Sequence, residues 1–180
     1  MLLQADKCFL VVIDIQGKLA ESMYEKERLL HNVRVLIQAA GSLCLEIVWC
    51  EQAPSVLGPT VRPVAELLEG TDPIAKTAFS CCGEPAFNER VERIGRQQAL
   101  LCGIESHVCV CQTAADLVLS GRTVYVVQDA VSSRTPENRK LGLELARSRG
   151  AGITSVEAAL FEMLKTAGHP AFRRVSRLIR

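Results

Sequence analysis

The stretch ALLCGIESHVCVCQTAADLVLSGRTVYVVQ, residues 99–128, indicates the fold of the chain. It opens with an aliphatic run at residues 99–103 and closes with a run rich in β-branched residues at 123–128. Both runs have the length and composition of buried strands in a parallel sheet. Between them, residues 108–119 carry apolar side chains at helical spacing. A strand, a helix and a second strand in this order predict a βαβ unit, whose two strands run parallel.

The same alternation continues through the rest of the sequence. Short apolar runs predict further strands at residues 8–13, 46–50 and 151–154. Amphipathic stretches predict helices at residues 25–40, 62–68, 86–94, 136–149 and 157–165, followed by a terminal helix. We therefore expect an α/β fold, a three-layer α/β/α sandwich around a mostly parallel sheet. Because 180 residues is close to the usual size of one domain, residues 1–180 are predicted to form a single domain.

In such a sheet, ligands bind in the crevice beyond the carboxyl ends of the strands. Asp14 directly follows the first predicted strand. A carboxylate there costs free energy unless it is paired or functional, so Asp14 is either a catalytic candidate or the cap of a nearby loop. Gly17 follows closely but belongs to neither of the glycine-rich phosphate-binding motifs, so no nucleotide cofactor is expected.

The strand at 99–103 leads into a turn and then a helix that carries two cysteines. Ser106 is a plausible N-cap, which places Cys109 in the first helical turn. Backbone N–H groups and the helix dipole there favour a thiolate and are suited to binding an oxyanion. Helical spacing puts Thr113 and Asp116 on the face of Cys109, while Cys111 points the opposite way. Cys109 is therefore a candidate nucleophile, the alternative being a buried and inert thiol.

Lys76 lies in a predicted loop with apolar neighbours. A lysine in such a place is most often simply solvated. If Lys76 instead reaches the crevice, its ammonium group would lower the pKa of a thiol and stabilise negative charge on a substrate. A carboxylate, a cation and a thiol at the start of a helix would together be suited to acyl transfer.

At these places the chain resembles the isochorismatase-like cysteine hydrolases. The resemblance is closest to the metal-free branch that includes the isochorismatase-domain-containing proteins. It covers almost the whole chain and ends in a tail that begins at His169. The matching motifs are V-V-I-D-I-Q at 11–16, E-Q-x-P-x-x-L-G-P-T at 51–60, K-T-A-F-S at 76–80, G-I-E-S-H-V-C-V-C-Q-T-A at 103–114 and D-A-V-S-S-R at 129–134.

The resemblance implies a six-stranded sheet and a Cys–Asp–Lys triad. Matched motif by motif, Cys109 would be the nucleophile, Asp14 the general base that takes its proton, and Lys76 the cation that places both. The family also implies a non-proline cis peptide bond, which here would join Ile104 to Glu105.

Further site residues follow from the same motifs. The backbone N–H groups of Glu105 and Cys109 would form the oxyanion hole. Gln16, Phe79 and Ser106 are expected to bind the substrate. The reaction implied is hydrolysis of a C–N bond in a small amide or carbamoyl-type compound through a thioester.

Two related activities are not expected. Nicotinamidases of this superfamily bind a metal through an Asp and two His residues between the first two strands. This chain has no histidine between His31 and His107, so neither a metal nor nicotinamidase activity is expected. True isochorismatases cleave a vinyl ether without relying on the cysteine, so the presence of Cys109 argues against that reaction.

Two other functional classes stay open. A member of the family that has lost turnover would act as a binding or regulatory protein. A thiol redox-responsive protein would use Cys109, Cys111 and the Cys81–Cys82 pair, and would be sensitive to peroxide. The short loops leave little chain for a lid, so we expect copies of the chain to complete the pocket in a homo-oligomer.

Charge and composition exclude other classes of partner. Lys plus Arg number 21 and Asp plus Glu number 20, so nothing draws the chain generally to nucleic acid or to anionic membranes. The basic tail is expected to be the solvated face of an amphipathic helix, with Arg173, Arg174, Arg177 and Arg180. No apolar run is long enough to span a bilayer.

The eight cysteines fit neither a secreted disulfide framework nor the paired C-x-x-C spacing of a structural zinc site. The N-terminal segment has no basic leader and is predicted to be a strand rather than a signal peptide. We therefore expect a cytoplasmic protein.

Overall fold

The computed structural model describes residues 2–179, so Met1 and the predicted tail residue Arg180 lie outside the described residues. The strands are β1 Cys8–Ile13, β2 Glu46–Gln52, β3 Ile74–Lys76, β4 Gln98–Ile104, β5 Thr123–Ser132 and β6 Gly152–Thr154. The α-helices are α1 Gly17–Glu21, α2 Lys26–Leu43, α3 Pro54–Leu57, α4 Arg62–Ala65, α5 Pro85–Ile94, α6 Cys111–Leu119, α7 Pro136–Ser148, α8 Val156–Leu164 and α9 Phe172–Leu178.

The strands form one six-stranded sheet in the order β3-β2-β1-β4-β5-β6. Every neighbouring pair is parallel. The α/β sandwich and its six-stranded sheet are therefore confirmed. The order reverses direction at β1 and β4, which lie side by side in the middle of the sheet, so the crevice expected of such folds opens at their carboxyl ends.

Both faces of the sheet are covered by helices, as the composition of β1 illustrates. All six of its residues are buried. Leu10 and Val12 pack into the core on the face of α2 and α8, whereas Phe9 and Val11 pack into the core on the face of α5 and α6. A strand buried on both sides needs apolar residues throughout, which is why this segment shows no polar alternation.

The terminal helix is amphipathic as predicted. In α9, Val175 is fully buried, while Arg173, Arg174 and Arg177 are exposed. Within the described chain, no helix is both long and apolar enough to cross a membrane.

Two local predictions were wrong. Lys76 does not lie in a loop but ends the short edge strand β3, whose few residues are too short a signal to recognise. Ser106 is not an N-cap: residues Ser106–Val110 form a π-helical turn before α6, Glu105 is the residue that precedes it, and no side chain caps its start. The Ser106 hydroxyl group bonds to other partners, which are described below.

A glycine lets the central strands approach closely beside the crevice. Gly103 of β4 pairs with Ile13 of β1 and has a φ of 127°, a backbone conformation that side chains rarely adopt. A Cβ atom at this position would lie 2.1 Å from the carbonyl oxygen of Ile13. Only glycine therefore allows the ends of β1 and β4 to lie together here, immediately before the residues that follow each strand.

Candidate active site

Four strands bring polar side chains to one end of the sheet. Asp14 follows β1, Gln52 ends β2, Lys76 ends β3, and Cys109 lies in the π-helical turn after β4. Because all four strands are parallel, their carboxyl ends meet at the same edge. The structure thus brings together the three residues predicted as a triad, although they are far apart in the sequence.

Asp14 occupies a tight turn at the end of β1. Its φ of 56° lies in the left-handed region, which Asp and Asn tolerate better than most residues. The carboxylate is only 1% exposed, and its Oδ2 atom accepts a hydrogen bond of 2.8 Å from Lys76 Nζ. The other oxygen, Oδ1, is buried without a hydrogen-bond partner of standard geometry among residues 2–179. This oxygen is left available to accept a proton.

The ammonium group of Lys76 is surrounded by hydrogen-bond acceptors. Besides Asp14, its ammonium group donates to Gln52 Oε1 at 2.6 Å and to the carbonyl oxygens of Phe79 at 3.1 Å and Ala78 at 3.3 Å. Its side chain has no exposed area. An ammonium group has three protons, and these partners account for all of them. All three protons of the Lys76 ammonium group are therefore engaged within the protein.

Cys109 lies at the same carboxylate. Its residue is 7% exposed, the most accessible of the three. An interaction between its thiol group and the Asp14 carboxylate affects the ionisation of both groups, raising the pKa of Cys109 and lowering that of Asp14. Cys109, Asp14 and Lys76 are thus one electrostatic unit.

The environment of Cys109 opposes the thiolate that its predicted place at the start of a helix favours. Burial raises the pKa of the Cys109 thiol, the negative charge of Asp14 raises it further, and the positive charge of Lys76 only partly opposes them. The free energy needed to remove a thiolate from water exceeds the stabilisation that the start of a helix gives it. The environment of Cys109 therefore favours its thiol form over the thiolate.

The two charged neighbours of Cys109 also have shifted pKa values. Burial raises the pKa of Asp14 above its usual value, although Lys76 and the Cys109 thiol oppose this. For Lys76, burial lowers the pKa, but the negative charge of Asp14 and its hydrogen bond outweigh this, so the pKa of Lys76 is raised. A carboxylate with a raised pKa is a stronger proton acceptor than an exposed one.

Helix α6 connects the cysteine to the segment that follows Lys76. Thr113 Oγ1 accepts a bond of 2.9 Å from the Cys81 backbone, and Asp116 accepts one of 2.6 Å from the Ser80 hydroxyl. Both side chains lie on the face predicted from helical spacing. These bonds fix the Lys76-bearing segment relative to the turn that carries Cys109.

Cys111 faces away from this site. Its thiol lies 3.5 Å from the carbonyl oxygen of Val108 and 3.6 Å from a guanidinium nitrogen of Arg149, which follows α7. Cys109 and Cys111 therefore do not form the adjacent pair that a redox mechanism using both would need.

The three predicted substrate-binding residues have different environments. Gln16 is fully buried, and its amide bonds to backbone groups of Gln52 and Gly58. Ser106 is 1% exposed, and its hydroxyl group bonds to Ser133. Phe79, in contrast, is 56% exposed, although its own backbone carbonyl oxygen accepts a hydrogen bond from Lys76. Gln16 and Ser106 are therefore buried and bonded within the protein, and of the three residues only Phe79 is largely exposed.

The peptide bond between Ile104 and Glu105 is cis, as the resemblance implied. Glu105 is the last residue before the π-helical turn, and its carbonyl oxygen accepts hydrogen bonds from the amides of Val108 and Val110. The backbone from Glu105 to Cys109 therefore forms one compact turn over the end of β4. Among residues 2–179, no group of three or more His, Cys, Asp or Glu side chains could hold a metal ion.

Two residues of this region were not identified from the sequence. Gln52 bonds both to Lys76 and, through its Nε2 atom, to the carbonyl oxygen of Thr77 at 2.8 Å. Its place after a buried strand is a signal that could have identified it. Ser133 contacts the turn after β4 from the end of β5, and a serine in a motif of two serines gives no such signal.

The family was established by comparison with known proteins. The Isochorismatase domain model matches residues 8–158. The chain belongs to the isochorismatase family. Among curated isochorismatase-family proteins, it is 38% identical to the secreted isochorismatase effector Isc1 of Phytophthora sojae, over 95% of this chain and 83% of that protein. It is 34% identical to isochorismatase domain-containing protein 2 of Danio rerio, over 94% of this chain and 85% of that protein.

Solved isochorismatase-fold structures agree. A structure described as the MAR1 ribonuclease of Caenorhabditis elegans superimposes with a TM-score of 0.93 and 36% identity, covering 99% of this chain and 92% of that one. The YcaC gene product of Escherichia coli, described as an octameric hydrolase of unknown specificity, has the same fold, with a TM-score of 0.88 and 20% identity over 98% of this chain and 95% of that one. The fold is that of isochorismatase-family hydrolases.

Proposed function

We propose that this isochorismatase-family protein is a cysteine-dependent hydrolase of small amide or carbamoyl-type compounds, acting on a C–N bond through a thioester. The observation that carries the proposal is the buried ion pair of Lys76 and Asp14, with the Cys109 thiol at the same carboxylate. A buried pair of charges costs free energy of desolvation, and its place beside a partly accessible thiol gives it a chemical use.

The reaction begins with proton transfer. Asp14 takes the proton of the Cys109 thiol, and the sulfur attacks the substrate carbonyl carbon to form a C–S bond. The oxyanion that results is bound by the backbone N–H groups of Glu105 and Cys109. When the C–N bond breaks, the proton held by Asp14 moves to the leaving nitrogen, which departs as ammonia or an amine.

Water completes the cycle. Asp14 takes a proton from a water molecule, whose oxygen attacks the thioester carbonyl. The C–S bond breaks, a carboxylic or carbamic acid leaves, and the sulfur recovers its proton from Asp14. Throughout, Lys76 keeps the carboxylate in place and offsets the negative charge that moves between oxygen and sulfur.

The site favours a small substrate over a polymer. Cys109 is 7% exposed and Asp14 only 1%, so the reacting atoms of a substrate must enter a narrow opening. The name of the C. elegans relative describes a ribonuclease, but a polynucleotide needs an open, basic groove. The net charge of this chain is only +1, so its overall charge does not favour binding of a polynucleotide. Phe79 offers an apolar contact for the substrate at the opening.

A screen for ammonia release tests the proposal. Small primary amides and carbamoyl compounds are offered to the wild type and to Cys109→Ala and Cys111→Ala variants. We expect ammonia from at least one compound with the wild type and the Cys111→Ala variant, and none above background with Cys109→Ala. Cys111 is a matched control because it is also buried but faces away from Asp14.

The opposite result is equally informative. If no compound releases ammonia and Cys109 forms no thioester with p-nitrophenyl acetate, the proposal is wrong, and a binding or regulatory role replaces it. Ammonia release that persists in Cys109→Ala would also contradict it.

We also propose that copies of the chain assemble and complete the pocket. Val56 and Phe79 are 79% and 56% exposed on segments that follow β2 and β3, and large apolar side chains of this kind are often covered by a partner. The octameric E. coli protein of the same fold is consistent with assembly. Light scattering at working concentration is expected to give a multiple of 19.7 kDa, and a monomer mass would contradict this.

The cytoplasm is the proposed location. All eight cysteines are unpaired in the structure, which suits a reducing compartment.

A further inference from the structure

A buried hydroxyl group lies behind the turn that carries the proposed oxyanion donors. Ser133, the residue after β5, is fully buried. Its Oγ atom lies 2.7 Å from Ser106 Oγ and 2.9 Å from His107 Nδ1. Ser106 and His107 are the two residues that directly follow Glu105. One side chain therefore holds two consecutive residues of the turn between Glu105 and Cys109.

The rest of this turn is held equally closely. Arg134 Nε bonds to Glu105 Oε1 at 3.0 Å, so the two residues after β5 contact three consecutive residues of the turn. From the other side, α7 presses against the same backbone: a Cβ atom at Gly142 would lie 2.3 Å from the carbonyl carbon of Ser106. The turn is thus enclosed between the end of β5 and α7.

We propose that Ser133 is a positioning residue for the oxyanion hole, fixing the backbone N–H groups of Glu105 and Cys109 through its bonds to Ser106 and His107. This inference rests on the proposed function. It assigns to the second serine of D-A-V-S-S-R a role in the reaction, although its side chain lies behind the site and has no contact with a substrate.

The bonding of Ser133 explains why a hydroxyl group is needed. It has one proton to donate and lone pairs to accept another, so it can connect a donor on one side to an acceptor on the other. Without it, the buried Ser106 hydroxyl would lose this partner and keep only two long contacts to α7, 3.3 Å to Arg139 O and 3.4 Å to Asn138 O. The turn would then be released from the end of β5, and displacements of about 1 Å in a catalytic site can cost about 100-fold in rate.

The preceding serine provides a matched control. Ser132 is 1% exposed, and its hydroxyl group contacts the carbonyl oxygens of Tyr24 at 2.6 Å and of Ser133 at 3.3 Å, and does not bond to the turn. A Ser132→Ala variant therefore loses a buried hydroxyl one residue away, in the same strand end, without altering the bonds to Ser106 and His107.

Two reagents that react with Cys109 separate positioning of the oxyanion hole from general damage. p-Nitrophenyl acetate acylates the thiol: a C–S bond forms, the ester C–O bond breaks, and p-nitrophenol leaves, through an intermediate with an oxyanion. Iodoacetamide alkylates the thiol by direct displacement of iodide, with no oxyanion. Peptide mass spectrometry measures both rates at Cys109 in the full-length protein, and the exposed Cys44 serves as an internal reference.

With Ser133→Ala, we expect acylation of Cys109 to fall about tenfold or more while alkylation changes less than about twofold. With Ser132→Ala, both rates should match the wild type. Because Ser133→Ala could fail to fold, Ser106→Ala is the second variant: it removes the other end of the same bond and should give the same split.

Three results would overturn the inference. Unchanged acylation in both variants means that Ser133 does not position the donors. An equal fall of acylation and alkylation in the variants means a structural role only. If the wild type is alkylated but never acylated at Cys109 and releases no ammonia from any amide, the proposed function itself fails and the inference falls with it, so the two failures can be distinguished.

Discussion

Replacing Asp14 by Asn is expected to slow amide hydrolysis by about 10²- to 10⁴-fold, the usual contribution of a general base. The substitution is sterically matched, because Asn also tolerates the φ of 56° at this position. The loss arises because an amide group can neither take the proton of the Cys109 thiol nor return it to the leaving nitrogen. The measurement is ammonia release from the amide that the wild type hydrolyses fastest.

The same variant should react faster with iodoacetamide. The negative charge of Asp14 raises the pKa of the Cys109 thiol, so its removal leaves the thiol beside the Lys76 ammonium alone and lowers that pKa. Each unit by which the pKa falls raises the thiolate fraction about tenfold, so alkylation near pH 7.5 is expected to be faster than in the wild type. A variant that loses hydrolysis but gains alkylation cannot simply be misfolded.

The pH profiles sharpen this prediction. In the wild type, one proton remains on the Asp14–Cys109 pair after the first has been lost. The thiolate then forms by transfer of that proton to Asp14 rather than to water, so the rate of alkylation between about pH 7 and 9 should hardly change. In Asp14→Asn the thiol must lose its proton to water, and the rate should rise about tenfold per pH unit. If Asp14→Asn were alkylated more slowly than the wild type at every pH, Asp14 would not be the charged neighbour of Cys109.

Replacing Lys76 by Met is expected to lower the free energy of unfolding by about 3–5 kcal/mol, because it leaves a buried carboxylate without its counter-ion. The side chains of Lys76 and Asp14 are 0% and 1% exposed, so water cannot take the place of the ammonium group. Urea unfolding measures the loss. The double variant Asp14→Asn/Lys76→Met has neither charge and should recover much of the stability, which a simple packing defect at Met would not allow.

The loss should depend on pH with a definite sign. Burial already raises the pKa of Asp14 above its ordinary 3.8, and Lys76 is the main group that opposes this. In Lys76→Met the folded-state pKa therefore rises further above the unfolded value. A group with a raised folded-state pKa stabilises the fold below its unfolded pKa and loses that effect as the pH rises through the folded pKa. The variant should be closest to the wild type in acid and weakest near pH 8; a difference that is constant with pH would contradict this account.

The architecture could be predicted from the sequence because short local segments show, by their composition, which residues are buried. Residues 8–13 and 123–128 are mostly apolar, as a strand covered on both faces must be. Because such strands alternate with helices along the chain, they are expected to form a parallel sheet. The crevice rule then pointed to Asp14 and to the turn at Cys109. The edge strand β3 was missed because its three residues are held in place by pairing with β2 rather than by their own pattern.

Other properties of the site depend on distances that no local pattern contains. The sequence alone determined the fold class, the end of the sheet at which the candidate site lies, and the types of residue found there. The tertiary structure decided that the Lys76 ammonium group is bound by four acceptors. It also decided that Gln16 and Ser106 are buried and bonded within the protein, and that Ser133 bonds to the turn that carries Cys109. Finally, it decided that the pKa of Cys109 is raised, because the desolvation of a charge depends on how completely the folded chain excludes water from it.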